Sequence, residues 1–268
     1  MLEQELRFSG SVPDNYDRLM VPMLFRPYAE ELALRARGFA PARILETAAG
    51  TGAVTEALGM AVPNAEIVAT DLNQPMLDVA AARLRSPRIA FAAADAQQLP
   101  FESNGFDLVV CQFGAMFFPD RVRAYAEARR LLRDGGHYLL AIWDAIERNP
   151  LTAAAQQALV DCFPEDPPLF MREGPFGYHD PLRIESDLHD AGFDTVEIET
   201  VELRSRSPSA HDAATALFYG SPMGVEVEER ESGSGERVFA AVEQALRPFE
   251  GPDGVDAAMA AHIVTATR

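Results

Sequence analysis

The chain has 268 residues, 48% hydrophobic and 24% charged, enough apolar material to pack the core of one large domain with a generous insertion. Its formal net charge of −18 repels phosphate backbones and anionic lipid, and no stretch interleaves basic with aromatic residues, so neither nucleic acid nor a membrane surface is an expected partner. The first ten residues, MLEQELRFSG, hold no apolar signal core and no run approaches a membrane span, so a cytoplasmic protein is expected. Along the chain, residues 1–40 carry NYDRLMVPMLFRPYAEEL and read as an N-terminal helical cover. Short apolar runs then alternate with helical patterns: RILET (43–47), EIVAT (66–70), IAFAAA (89–94), FDLVVCQF (106–113) and HYLLAIW (137–143) read as strands. Their near-continuous apolar character fits burial on both faces of a parallel sheet. Between them, TGAVTEALGM runs to Pro63, and PMLDVAAARLR places Met76, Leu77, Ala80, Ala81 and Leu84 on one face. DRVRAYAEARRLL stops at Asp134-Gly135-Gly136.

The alternation predicts a doubly wound, Rossmann-like α/β sheet. It breaks at residues 147–180, a short helix followed by Pro- and Gly-rich loop that reads as an inserted lid. Asp180 and Pro181 start the next helix, which Gly192 stops. TVEIETVEL alternates as a strand, residues 207–258 read as mostly helical, and HIVTAT reads as a closing strand. The expected organisation is a single domain over 1–268: cover 1–40, cofactor-binding core 41–146, lid 147–180, and completion of the sheet over 181–268.

The chemistry concentrates in ARILETAAGTGAVTEAL, residues 42–58. A strand that runs into Gly50 and Gly52 and then into a helix leaves backbone N–H groups bare against the helix N-terminus, a place for a nucleotide-like ligand. Asp71, at the end of the next strand, stands 21 residues beyond Gly50, at the spacing of an acid that accepts from a ribose diol. A dinucleotide fingerprint wants a third glycine, and Thr55 stands there. Glu46 at the strand end would repel a pyrophosphate but attract a sulfonium or an amino group. Those two departures favour S-adenosylmethionine over NAD.

On these residues the chain resembles the class I S-adenosylmethionine-dependent methyltransferases, in particular the small-molecule enzymes of the ubiquinone/menaquinone-biosynthesis type. The family's acidic-x-Gly-x-Gly-x-Gly loop stands here as Glu46, Ala48, Gly50 and Gly52, with alanine in place of the first glycine. Ala48 fits that turn only with a negative φ or with strain borne by its neighbours. By resemblance, Asp71 holds the ribose, Leu72 and Met76 flank the adenine, and Asp95 with Ala96 meets its amino group. Gln112 and Phe113 approach the methionine portion, and Tyr16 lies over the cofactor. The resemblance implies a seven-stranded sheet, mostly parallel with an antiparallel last strand, and S-adenosyl-L-methionine as cofactor.

Methyl transfer from a sulfonium needs alignment and exclusion of water; a base is needed only where the acceptor must lose a proton. For that role the loop GPFGYHDP offers His179, beside a solvent-exposed reading of the same residue. The expected acceptor is a small, partly apolar molecule beneath the cover and the lid. Tyr16, Phe25, Met116, Phe117, Trp143, Phe176 and Tyr178 are its candidate walls, with ordinary core packing an equal reading of each. Asp107 is expected to cap backbone rather than react. No His/Cys cluster has metal-ligand spacing, and Cys111 and Cys162 read as reduced thiols. Two alternatives stand beside the transferase: a non-catalytic protein that binds S-adenosylmethionine or S-adenosylhomocysteine, and an NAD-dependent oxidoreductase, which Thr55 and the lack of a Tyr-x-x-x-Lys pair oppose.

Overall fold

Residues 15–268 are described by a computed structural model; the opening part of the expected cover, residues 1–14, lies outside the described residues. The chain divides into two compact units. The first holds residues 28–143, 178–201 and 261–268, and the second, among described residues, holds 15–27, 144–177 and 202–260.

In the second unit, α1 (Tyr16–Phe25) is wound as a π-helix around Pro22, whose ring nitrogen has no hydrogen to give to a tighter ladder. In the first unit, α2 (Arg26–Phe39) leads into β1 (Arg43–Glu46), α3 (Ala53–Ala61), β2 (Glu66–Asp71), α4 (Gln74–Arg83), β3 (Ile89–Ala93), β4 (Phe106–Gln112), α5 (Arg121–Leu131) and β5 (Leu132–Trp143). Strands β1 to β5 run parallel in the order β3-β2-β1-β4-β5. Their apolar runs are buried as both-face packing requires: Ile44, Leu45, Leu108, Val109, Val110, Leu139 and Leu140 are all fully enclosed.

Local chemistry fixes the helix starts. Asn73 accepts from the Met76 N–H ahead of α4, with Pro75 in its first turn, and Asp120 accepts from the Arg123 N–H ahead of α5. Asp107 accepts from the backbone N–H groups of Ala42 and Arg43 at 2.6 and 2.9 Å, locking the entry to β1 as expected of a backbone cap.

Beyond β5 come α6 (Pro150–Cys162), α7 (Phe170–Glu173), α8 (Pro181–Asp190), β6 (Thr195–Ser207), α9 (Ala210–Tyr219), α10 (Met223–Arg230), α11 (Gly235–Leu246), β7 (Glu250–Gly251) and β8 (Gly254–Thr267). Asp180 caps α8 through the Leu182 N–H, and Gly192 follows that helix with φ of +94°. In the helical unit, α6 packs on α11 and α9 packs on α1. Strand β8 lies antiparallel to β5, from His137 opposite Thr267 to Trp143 opposite Ala261. None of the described helices is long and apolar enough to cross a membrane.

The structure corrects several boundaries. The expected seven strands form the sheet in the order β3-β2-β1-β4-β5-β8-β6; off that path, two-residue β7 pairs with β8 inside the stretch expected to be helical. Strand β8 begins at Gly254 rather than at His262, since the alanine-rich DAAMAA carries helical propensity that ladder pairing overrides. The helix before β5 ends at Leu131, and β5 includes Asp134-Gly135-Gly136, where its register with β4 shifts and Gly135 has φ of +73°. On α4, Ala81 is exposed and Leu84 half-buried, so the buried face is Met76, Leu77 and Ala80.

Candidate cofactor site at the ends of the parallel strands

The crevice where parallel strand order reverses falls here between β1 and β4, and the strand ends beside it carry most of the expected residues. The β1–α3 loop holds three left-handed residues at alternate positions, with φ of +54° at Ala48, +54° at Gly50 and +83° at Gly52. It is stitched to both neighbouring strands: the Thr47 N–H donates to Val110 O, and the Ala49 N–H to Thr70 O, each at 2.9 Å. The Thr70 hydroxyl in turn donates to Glu46 O at 2.8 Å.

Gly52 is demanded twice, by its φ and because a Cβ there would lie 2.9 Å from Leu84 Cδ1. Ala48 takes the strained of its two expected options, a left-handed residue with a side chain. Its support comes from Gly114, just beyond β4, where an added Cβ would fall 2.3 Å from the Ala48 methyl. Two positions 66 residues apart therefore share one methyl's worth of space.

The two acids flank this loop. Glu46 is 1% exposed, and its Oε2 accepts the Thr55 hydroxyl at 2.6 Å. Burial pushes its carboxyl up to about 8, the Thr55 hydroxyl opposes that rise, and the neighbouring Asp71 charge adds to it. Asp71 is half-buried and held by backbone: Oδ2 accepts from the Gly50 N–H and Oδ1 from the Asn73 N–H, both at 2.8 Å. Burial raises its pKa as well, against those backbone donors. Glu46, Ala48, Gly50, Gly52 and Asp71 are thus brought together as one bonded cluster.

The remaining expected residues follow along the same strand ends. Leu72 is 39% exposed in the turn after Asp71, whereas Met76 is buried on α4. Asp95, past the end of β3, is half-buried and turns its Oδ1 onto the Gln97 N–H at 2.8 Å, with Ala96 half-buried beside it. Gln112 closes β4. Phe113 follows with φ of +54° and lies flat on Trp143, ring centroids 3.8 Å apart and planes 3° from parallel. The Tyr28 ring meets both edge-on, and its hydroxyl donates to Val201 O. Trp143, an expected acceptor wall, is core packing against Phe113, as is Tyr178, whose hydroxyl donates to Asp187 Oδ2 at 2.9 Å beneath the Arg121 guanidinium. Met116 is buried and Phe117 half-buried in the short turn after β4.

The two expected catalytic residues are Tyr16 and His179. Tyr16 belongs to the helical unit, where it stacks on Phe25 at 5.0 Å, and Phe176 is buried in the same unit. His179 has an exposed side chain, while its carbonyl accepts from His262 Nε2 at 2.9 Å. His262 is buried, with its Nδ1 on the Thr200 hydroxyl, and so pins this loop. Sequence reading missed His262, Gly114 and the Thr55 hydroxyl. Only Thr55 left a trace, as the residue where a third glycine was wanted.

A bared loop over β1, with an acid on each of two neighbouring strand ends, is the arrangement that the resemblance to class I S-adenosylmethionine-dependent methyltransferases implies. Residues 44–136 match the model of the methyltransferase-domain family. Over 166 residues the chain is 34% identical to the malonyl-[acyl-carrier protein] O-methyltransferase of Geobacter sulfurreducens, a span of 62% of this chain and 60% of that protein. Over 118 residues it is 39% identical to the demethylmenaquinone methyltransferase of Thermus thermophilus, covering 43% of this chain and 52% of that one. The matches therefore span less than two thirds of either relative. In fold, the YcgJ protein of Bacillus subtilis aligns with a TM-score of 0.59 at 16% identity, over 90% of this chain and 98% of its own.

Proposed function

We propose that the protein is an S-adenosylmethionine-dependent methyltransferase acting on a small, partly apolar metabolite. The observation that carries this reading is the bonded cluster of Glu46, Asp71 and the loop with three left-handed residues. The residues fit the cofactor: Thr51 Oγ1, buried in that loop, has no hydrogen-bond partner among the described residues, and the acids favour a ligand with a ribose diol and a cationic amino group. Asp71 would hold the ribose, Glu46 would face the amino group's charge, and the loop backbone would lie against the ligand. When bound, the cofactor supplies an electrophilic methyl carbon on a good leaving group. The chain's own task is then to orient the acceptor and exclude water. Met116 and Phe117, in the turn after β4, give the apolar side of that task. The relatives support the same chemistry by name, one acting on a malonyl-carrier substrate and the other on demethylmenaquinone.

Alignment suffices for an acceptor that is already nucleophilic. For one that must lose a proton, His179 is the assigned base, and His179→Ala then lowers kcat by roughly 10²–10⁴-fold with S-adenosylhomocysteine affinity unchanged. A mutant that keeps its rate and pH profile removes His179 from the mechanism. The cofactor itself is tested by thermal unfolding. S-adenosylhomocysteine at about 100 times its Kd contributes roughly 2.7 kcal/mol and should raise the Tm by about 5–10 °C, while NAD should leave it unmoved. The opposite order would overturn the reading.

A further inference from the structure

Helix α3 begins after Gly52, and the first N–H to bond back along it is that of Glu56, onto Gly52 O at 3.0 Å. The N–H groups of Ala53, Val54 and Thr55 therefore have no acceptor along the helix, at the place where nucleotide-binding α/β folds receive a phosphate. Here a carboxyl from within the chain already stands at that end. Glu46 reaches it from β1: its Oε2 accepts the Thr55 hydroxyl at 2.6 Å. Thr55 is fully buried, and the charged or titratable groups that face Glu46 are Asp71 from β2 and Cys111 from β4. No cation among them offsets the carboxylate, so an amino group on a ligand is the charge the site lacks.

We infer that Thr55 is a positioning and specificity-determining residue: by holding Glu46 across the start of α3 it closes the fold's phosphate site and keeps the loop for a ligand with a cationic amino group. This rests on the methyltransferase reading above. It gives physical content to the difference between the two glycine loops. A glycine at position 55 would leave Glu46 without the Thr55 hydroxyl and free the helix end for a pyrophosphate. The methyl of Thr55 fills the same space in valine, so the hydroxyl can be removed without opening a cavity.

The test is calorimetric titration of purified wild type, Thr55→Val, Thr55→Ser and Glu46→Gln with S-adenosylhomocysteine and, as the pyrophosphate probe, ADP, between pH 6 and 9. The Glu46 carboxyl is followed in the unliganded proteins by carbon NMR. Wild type and Thr55→Ser should bind S-adenosylhomocysteine more tightly as pH rises and should ignore ADP. Thr55→Val should lose about tenfold in S-adenosylhomocysteine affinity at pH 7 and shift the Glu46 titration upward by about one unit. Glu46→Gln should gain at least tenfold for ADP. A Thr55→Val protein with wild-type affinity and an unmoved Glu46 titration overturns the inference, as does a Glu46→Gln protein still blind to ADP. Should Thr55→Val fail to fold, the Glu46→Gln and Thr55→Ser arms still decide. A wild type that binds no S-adenosylhomocysteine, with the Glu46 titration still sensitive to Thr55, instead removes the methyltransferase reading and leaves the positioning role standing.

Discussion

Glu46 and Asp71 end adjacent parallel strands, yet the chain holds the two carboxylates by opposite means. Glu46 is enclosed and depends on a side chain, the Thr55 hydroxyl, whereas Asp71 is half-open and gripped by the backbone of Gly50 and Asn73. Backbone donors come with the turn and survive any side-chain change; a single buried hydroxyl does not. In the function proposed above, the difference separates the roles: Asp71 would be a fixed acceptor for a ligand's hydroxyls, and Glu46 is a buried acid whose ionisation the surroundings resist.

The largest effect that can break this contrast is the pH dependence of stability. In the unfolded chain Glu46 releases its proton near 4.5, and in the folded protein only at about 8. Between those values the folded state keeps a proton that the unfolded state has lost. The contribution of Glu46 is therefore complete below about pH 4.5 and is lost as pH rises through about 8, by roughly 3–6 kcal/mol. Glu46→Gln, which cannot ionise, should match wild type near pH 5 and exceed it at pH 9 in urea unfolding. Parallel curves for the two proteins would mean that Glu46 is not a resisted charge. With S-adenosylhomocysteine bound, its ammonium favours the ionised acid, so binding at pH 7 should release a proton, measurable as a dependence of the binding heat on buffer.

A smaller effect tests the support that both acids share. The loop between them rests on the Ala48 methyl against Gly114. Gly114→Ala should overpack this contact and cost about 3 kcal/mol, lowering the Tm by roughly 5–10 °C. Ala48→Gly alone should be nearly neutral, since relief of a left-handed side chain offsets the added freedom of glycine in the unfolded chain. Combined, the two should recover more than about 1 kcal/mol of the loss, with the Cys111 sulfur, 3.1 Å from the added methyl, limiting full recovery. Strictly additive costs would separate the two positions.

What was legible in the sequence follows the same division. Gly50, Gly52 and Asp71 announced themselves because strand, turn, helix and next strand are consecutive, so spacing along the chain stands for distance in space. The Asp180-Pro181 start and the Gly192 stop of α8 are equally local. Gly114 was invisible, because its meaning lies in a methyl 66 residues away. So was the pinning of residue 179 by His262, which requires β8 to be in place beside β5. The first half of β8 was misread for the converse reason: alanines signal helix locally, and only pairing in the sheet makes them strand. Thr55 sat between these cases, visible as a missing glycine but mute about the carboxylate nine residues before it.

The smallest and most selective effect belongs to Asp71. Asp71→Asn keeps shape but replaces one acceptor oxygen by a donor, so the Gly50 and Asn73 N–H groups cannot both be satisfied as they are now. Loss of a charged acceptor for the ribose hydroxyls should weaken S-adenosylhomocysteine by about 2 kcal/mol, close to 30-fold. The comparison with Glu46 sharpens when the ligand is cut down. 5′-Methylthioadenosine keeps the ribose diol and lacks the amino acid. Asp71→Asn should therefore penalise it as heavily as S-adenosylhomocysteine, whereas Glu46→Gln should penalise S-adenosylhomocysteine alone. Isothermal titration of both variants with both ligands gives four numbers. If Glu46→Gln weakens methylthioadenosine as much as it weakens S-adenosylhomocysteine, the carboxylate is shaping the loop rather than meeting an amino group, and the two acids share a single role.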